Sequence, residues 1–167
     1  LNSSEANQVG YYLAQKYGIS AAYTDPGVAN GPASLGGLAG AGTVDLNGVP
    51  VSVGANNANT TFSGTLLDTA GGGTLIKKGA GTLTLTGAGS YTGGTTINAG
   101  QILIGDTGNY ASTFTVNAGA ALVGDGTVGG VVLNSSGQVN PGADGIIGPL
   151  TTGAFTLNAG GVMDFEF

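Results

Sequence analysis

Apolar and polar residues alternate along most of the chain with a period of two. In residues 82–86, Leu83 and Leu85 fall on one side of an extended strand and the threonines fall on the other. Segments of this kind are followed by Asn-Gly, Ala-Gly or Gly-Gly pairs, which are typical of turns. The pattern predicts many short strands, each ending at a turn. The same alternation recurs at Phe114/Val116, at Phe155/Leu157 and at Met163/Phe165/Phe167.

One unit, an extended segment followed by Asn-Ala-Gly, occurs three times, in residues 95–105, 114–124 and 155–165. Asn117 follows Asn98 at one step of roughly 20 residues, and Asn158 follows Asn117 at about two such steps, with a degenerate copy in 132–139 between them. A period of this length is typical of a solenoid, in which each unit is too small to bury its apolar face alone. Connections this short hold no crossover helix, so consecutive units are expected to pair strand on strand in parallel. The predicted fold is all-β, a parallel β-helix.

The repeated asparagine has two structural interpretations. Asn tolerates the left-handed region and hydrogen-bonds locally, so it suits a corner. If the asparagines stack from one rung to the next, their amides are also able to form an interior ladder.

The N-terminal part of the chain has a different pattern. Ala6, Val9, Leu13 and Tyr17 follow helical spacing, with Asn2 and Glu5 placed as in a capping box and Gly18 as a stop. We therefore predict a helix over residues 3–17, followed by a loop to residue 42. Residues 1–42 are expected to cap the coil, and residues 43–167 to form the repeats. On the helix, Tyr11, Tyr12 and Tyr17 are candidate partner-binding residues, because Tyr is enriched at interfaces.

Composition and charge restrict the function. The 167 residues include 35 Gly, and only 7% are charged; the net charge is −6. The three basic residues are Lys16, Lys77 and Lys78, so phosphate pairing and nucleic-acid binding are not expected. Without His or Cys, no imidazole or thiol catalysis and no zinc finger is expected. No apolar run reaches the roughly 18 residues of a membrane span.

Residues 73–105 resemble the autotransporter-associated β-strand repeat. The resemblance is carried by Lys-x-Gly-x-Gly-Thr-Leu-Thr-Leu-Thr-Gly in 77–87 and by Tyr-Thr-Gly-Gly-Thr-Thr in 91–96. Residues 125–167 are similar to the rungs that follow this repeat in passenger domains. Over residues 43–167, the resemblance implies a right-handed β-helix that is a fragment of a longer passenger.

The same resemblance implies a secreted or cell-surface protein, exported through the outer membrane of a Gram-negative cell with the help of a translocator β-barrel. An adhesin or virulence effector is the expected function, with a host cell-surface protein or glycan as partner. A purely structural stalk that aids export and display of another domain is the alternative.

Aspartates recur at nearly the rung period. Asp106, Asp125 and Asp144 are equally spaced along the chain, and each lies at an apparent turn. One hypothesis is a weak Ca²⁺-binding edge, although the calcium-binding β-roll nonapeptide is missing. The other is a set of solvated turn residues, so no metal or other cofactor is expected.

A β-helix enzyme acting on polysaccharides is a further alternative. Asp164 and Glu166 lie two residues apart on one strand, a spacing compatible with glycoside hydrolysis. The apolar residues that alternate with them favour the core, which leaves the two acids in solvent. Lyases of this fold rely on basic groups, and this chain has few. We therefore expect no enzymatic activity.

Overall fold

The computed structural model describes residues 32–142 and 147–165. The predicted helix over 3–17 lies outside these residues, and so does most of the predicted loop. Within the described part the chain is a parallel β-solenoid of about six turns, without a helix. Its sixteen strands are β1 Ala33–Leu35, β2 Thr43–Asp45, β3 Pro50–Val53, β4 Thr60–Phe62, β5 Thr65–Leu67, β6 Thr74–Lys77, β7 Thr82–Leu85, β8 Ala88–Gly89, β9 Thr95–Ile97, β10 Gly100–Ile104, β11 Asn109–Val116, β12 Ala120–Gly124, β13 Thr127–Leu133, β14 Gln138–Pro141, β15 Thr151–Leu157 and β16 Val162–Met163.

Every named strand pair is parallel, which confirms the predicted stacking. One sheet contains six strands in the order β16-β14-β12-β10-β7-β4. The ten-stranded sheet has two rows in its early rungs, β1-β3-β6-β9 and β2-β5-β8, and the rows join at β11. They join because β11, β13 and β15 have seven or eight residues each and span both rows without an intervening turn.

Registers define how far the chain advances from one rung to the next. Val51 lies opposite Leu75, Leu75 opposite Thr95, and Thr95 opposite Phe114. Phe114 then lies opposite Val131, and Val131 opposite Phe155. The advance is therefore not constant, and the step from Phe114 to Val131 is the shortest of the five. Corner loops of different lengths absorb this variation, while the strands stay aligned.

The core fills the inside of the coil with one alternate set of side chains from each strand. Leu83 and Leu85 of β7 are buried, while the threonines between and beside them are partly exposed. Phe114 and Val116 are completely buried. The predicted alternation is confirmed at these positions. Thr95 and Ser112 are buried as well and place hydroxyl groups inside the coil.

The parallel pairing starts earlier than residue 43. Ala33–Leu35 pairs with Val51–Val53, and Leu38 is buried against the core. Residues 33–42 therefore contribute a strand and a core side chain to the solenoid, whereas the sequence pattern placed them in a loop. Three residues and one buried leucine are too short a segment for a period of two to be visible.

Candidate functional surface

A ladder of asparagine side chains runs along one corner of the coil. The side-chain nitrogen of Asn117 donates to the side-chain oxygen of Asn98 at 2.8 Å. Asn134 donates to Asn117 at 2.7 Å, and Asn158 donates to Asn134 at 2.8 Å. The four side chains are exposed or partly exposed. The ladder considered from the sequence is therefore present, but on an outer corner and not in the interior.

The same asparagines begin tight turns. The carbonyl oxygen of Asn117 accepts a hydrogen bond from the backbone of Ala120, three residues on, and Asn134 and Asn158 do likewise with Gly137 and Gly161. Residues in the left-handed region follow two positions after each ladder asparagine: Gly100, Gly119, Ser136 and Gly160. The asparagines themselves are not in that region; the residue two positions later takes the left-handed conformation, and in three of the four turns it is a glycine, which adopts it without strain.

Two aspartates connect corners of the early rungs. Asp45 accepts hydrogen bonds from the backbone of Asn47 and from both the backbone and the hydroxyl of Thr69 in the next rung. These bonds, that of the Thr69 hydroxyl first, hold the pKa of Asp45 below its ordinary value. Asp68 accepts from the backbone of Gly48 in the preceding rung and of Gly73 in its own, each at 2.7 Å. Both carboxylates therefore connect one rung to the next.

The candidate calcium aspartates do not occupy equivalent positions. Ile104 lies opposite Gly124, and Asp125 follows directly, its backbone donating to the Ile104 carbonyl. Asp106 lies one residue further along its own corner. That corner has four residues, 105–108, while the corresponding corner has only two, 125–126. The equal spacing in sequence therefore does not place the carboxylates in register.

Asp144 lies outside the described residues, so the structure gives distances only for the other two candidate aspartates, Asp106 and Asp125. Among the residues that the structure describes, no three His, Cys, Asp or Glu side chains come together in a way that could hold a metal ion. Tyr11, Tyr12 and Tyr17 also lie outside the described part of the chain, and their partner-binding role stays a prediction. Glu166, the second member of the Asp164/Glu166 pair, lies outside the described residues as well.

Lys77 is inside the coil. It is 1% exposed and lies in an inward column between Val53 and Ile97. Its ammonium group donates to the carbonyl oxygens of Lys78 and Gly79, each at 2.8 Å, and of Ala99 at 3.3 Å. Burial lowers the pKa of this ammonium. Of the two adjacent lysines, Lys78 alone is exposed.

A small polar network lies among the core aromatics. The hydroxyl of Tyr91 is 2.5 Å from that of Thr95, which is 3.3 Å from that of Ser112. The Tyr91 ring meets Tyr110 edge-on, and Tyr110 meets Phe114 in the same way. The Tyr110 hydroxyl is buried without a hydrogen-bond partner among the described residues. Burial raises the pKa of both tyrosines, and for Tyr110 the neighbouring Tyr91 adds to the effect.

The contacts of Lys77, Asp45 and Asp68 were not predicted from the sequence, although the sequence pattern does indicate the inward position of Lys77. Lys77 has the same parity as Leu75 in its strand, so period-two alternation alone directs it inward. Asp45 and Asp68 left no usable signal, because their partners lie in neighbouring rungs, in corners of unequal length.

A parallel β-solenoid with an amide ladder along one corner defines a β-helix protein. Residues 75–104 match the model of the passenger-associated-transport-repeat. The chain therefore carries a repeat of autotransporter passenger domains, as the resemblance in its sequence indicated. The comparisons with curated proteins and with solved structures gave no match. Within the described residues, no helix is long and apolar enough to cross a membrane.

The matched segment lies at the centre of the solenoid. It begins in β6, contains β7, β8 and β9, and ends with β10. It therefore includes Lys77 and the first asparagine of the ladder, Asn98. The repeat and the fold together fit the passenger domain of an autotransporter.

Proposed function

We propose that this chain is a non-enzymatic segment of an autotransporter passenger, displayed on or released from a bacterial cell, where it acts as an adhesin or effector toward host cells. The observation that carries the proposal is the passenger-associated-transport-repeat in residues 75–104, set within a parallel β-solenoid. The repeat family suggests secretion or surface display. The partner is a host cell-surface protein or glycan, and export uses a translocator in the full-length protein.

The lack of enzymatic activity belongs to the same proposal. A polysaccharide-active β-helix enzyme needs a basic group that reaches its substrate. Lys77 is held in the core by three carbonyl oxygens, so Lys78 is the one exposed basic side chain among the described residues. Asp45 and Asp68 direct their carboxylate oxygens to backbone N–H groups of the corners and, for one oxygen of Asp45, to the Thr69 hydroxyl. Their geometry is that of structural connectors between rungs.

A purely structural stalk is the second candidate. It is favoured because the polar side chains that distinguish the outer corners, the ladder asparagines above all, are used for contacts between rungs. A stalk requires such stacking and no specific lateral site.

Binding of the isolated protein to host cells and to a glycan array distinguishes the two candidates. An adhesin gives saturable binding that unlabelled protein competes away. A melted and rapidly cooled sample serves as the control for nonspecific adhesion. Saturable binding to neither target contradicts the adhesin and leaves the stalk.

A further inference from the structure

The corner between β2 and β3 contains the dipeptide Asn47-Gly48. Among the described residues, Asn47 is the only asparagine that a glycine follows directly. Such a pair has a covalent chemistry of its own. The backbone nitrogen of the glycine is able to attack the side-chain carbonyl carbon of the asparagine, because glycine has no Cβ atom to shield that nitrogen. The Asn47 side chain is exposed, so water reaches its amide.

The fold holds this dipeptide in a type I′ turn. Asn47 has a φ of 48° and Gly48 a φ of 75°, and the Val49 backbone donates to the Leu46 carbonyl at 3.0 Å. Positive φ at both central residues defines type I′, for which Asn-Gly is a preferred sequence. In this turn the ψ angle of the first central residue is about +30°. That angle turns the next backbone nitrogen away from the Cβ atom of Asn47, whereas the attack requires both on one side of the Cα–C bond.

A carboxylate of the next rung holds the attacking nitrogen. Asp68 accepts a hydrogen bond from the backbone of Gly48 at 2.7 Å with one oxygen and from that of Gly73 at 2.7 Å with the other. Asp45 accepts from the backbone of Asn47 at 2.9 Å. Hydrogen bonds to a charged acceptor are roughly twice as strong as neutral ones. Rotation of the Gly48 nitrogen toward the Asn47 side chain therefore has to break a strong contact between rungs.

We propose that Asn47 is a conditional deamidation site. The hydrogen bond between Gly48 and Asp68 keeps it unreactive while the corner is closed, and it is modified when the corner opens. The proposal rests on the geometry of this corner and is independent of the proposed function, because it applies to an adhesin and to a stalk alike.

The reaction needs water and no other reactant. The Gly48 nitrogen forms a bond to Cγ of Asn47 and loses its proton to solvent, and the carboxamide nitrogen takes up a proton and leaves as ammonia. The product is a five-membered cyclic imide. Water then adds to one of the two imide carbonyl carbons and breaks its bond to nitrogen. The net change replaces the amide by a carboxylate, in an aspartate or in an isoaspartate, according to which bond breaks.

The product does not fit the closed corner. A carboxylate at position 47 lies in the same corner as Asp45, which already directs an oxygen to the Asn47 backbone, and in contact range of the Gly48 partner Asp68. Like charges placed close together repel. An isoaspartate also carries one extra carbon atom in the backbone, so the turn no longer has its four-residue geometry. Because the change is not reversed by refolding, it records each opening of this corner.

The direct test compares the folded chain with a peptide of residues 44–60, which contains both Asn47 and Asn57. Asn57 is the internal control, because it is exposed and has a φ of 58°, but is followed by Ala58, whose Cβ atom shields the nitrogen. Both samples are kept in the same mildly alkaline buffer, and mass spectrometry of peptide fragments measures amide loss at each asparagine.

In the peptide, Asn47 should lose its amide and Asn57 should react much more slowly. In the folded chain we expect Asn47 to react at least roughly tenfold more slowly than in the peptide, because reaction waits for local opening. Equal rates at Asn47 in the folded chain and in the peptide would overturn the proposal, and so would an unreactive Asn47 in the peptide.

Two variants locate the source of the protection. Asp68→Ala removes the acceptor of the Gly48 hydrogen bond and should raise the rate at Asn47 at least roughly threefold. Asn117→Ala is the matched control, because it removes contacts between rungs in the ladder and leaves this corner intact. It should change the rate at Asn47 far less. Equal acceleration in the two variants, or none in Asp68→Ala, would overturn the proposal, because the protection would then not come from Asp68.

Circular dichroism shows whether each variant is folded. If Asp68→Ala is not, Asp68→Asn takes its place, since it keeps the shape of the side chain and one acceptor oxygen but replaces the charged hydrogen bond by a neutral one. The rate at Asn47 in folded Asp68→Asn should again exceed that in the unmodified chain. An unchanged rate would overturn the proposal.

Discussion

The side-chain nitrogen of Asn134 lies 2.7 Å from the side-chain oxygen of Asn117, to which it donates a hydrogen bond across the boundary between two rungs. The two residues are 17 positions apart, whereas Asn117 and Asn98 are 19 apart and Asn158 and Asn134 are 24 apart. A constant contact at such unequal separations arises because the strands that precede the asparagines keep their register. The ladder therefore forms only when the rungs are stacked in the correct register.

Removing an inner member of the ladder should destabilise the solenoid more than removing an exposed asparagine elsewhere. Asn117→Ala loses the hydrogen bonds to both Asn98 and Asn134. At about 1 kcal/mol for each, reduced by partial exposure, we expect a loss of about 1–2 kcal/mol in the free energy of unfolding. Urea titration measures it.

Asn109→Ala is the matched control, because Asn109 is an exposed strand residue outside the ladder. Its effect should stay within about 0.5 kcal/mol. If the two variants unfold at the same urea concentration, the ladder does not stabilise the fold.

Truncating the Lys77 side chain should lower the free energy of unfolding more than removing its charge alone. Lys77→Ala removes a buried stem from the column between Val53 and Ile97 and leaves a cavity, for which we expect a loss of about 2–5 kcal/mol. Lys77→Met keeps most of that volume and should lose less, because the apolar side chain avoids the desolvation of a buried ammonium. Equal losses for the two variants would show that the ammonium, and not the stem, provides the stabilisation.

Lys77 should also make stability depend on alkaline pH. Its pKa is lowered in the fold, so between the lowered value and 10.5 the unfolded chain binds more protons than the folded one. Stability therefore rises with pH in that window. Urea titrations at a series of pH values up to 10.5 should show the stability of the native protein rising relative to that of Lys77→Met. An identical rise in both proteins would assign it to another group.

Removing the hydroxyl of Tyr91 should lower the stability of the fold, whereas removing the hydroxyl of Tyr110 should not. Tyr110→Phe removes a buried hydroxyl that has no partner among the described residues, and should leave stability unchanged or raise it. Tyr91→Phe removes the partner of Thr95 and should cost about 1 kcal/mol. Thermal melts of the two variants provide the comparison. A larger loss for Tyr110→Phe than for Tyr91→Phe would contradict the assignment of the two hydroxyls.

The close stacking of corners should make Gly87 intolerant of a side chain. A Cβ atom at Gly87 would collide with the backbone carbonyl of Gly64 in the preceding rung. Because a backbone atom is not free to move aside, Gly87→Ala should cost about 1–3 kcal/mol.

Gly36→Ala provides the control for this substitution, because a Cβ atom there makes only ordinary contacts at 3.6 Å or more with Asn56. Its melting temperature should stay close to that of the unmodified chain. A Gly87→Ala protein as stable as the Gly36→Ala protein would show that the rungs are less closely stacked at this corner.

The sequence predicted what depends on alternation and period. The inward positions of Leu83, Leu85, Phe114 and Val116 follow from a period of two, and the parallel stacking follows from a period of about 20 residues. The family resemblance at residues 73–105 overlaps the segment that matches the passenger repeat.

Contacts between rungs were harder to predict, because they depend on corner length. Asp106 and Asp125 belong to an equally spaced series of aspartates in the sequence. Their corners contain four and two residues, so the equal spacing does not bring the two carboxylates into register. Asn117 and Asn134 are irregularly spaced and yet are aligned. A sequence period records the mean advance per rung, and individual corners deviate from it.

The central claim, that this solenoid is an exported passenger segment, is tested most directly by labelling intact cells of the native producer with antibodies raised against residues 32–165. The account predicts labelling of unpermeabilised cells, or recovery of the segment from the culture medium, and loss of the cell-bound signal after external protease treatment. A cytoplasmic marker must stay unlabelled and undigested in the same cells. Labelling only after permeabilisation, with no segment in the medium, would contradict the account.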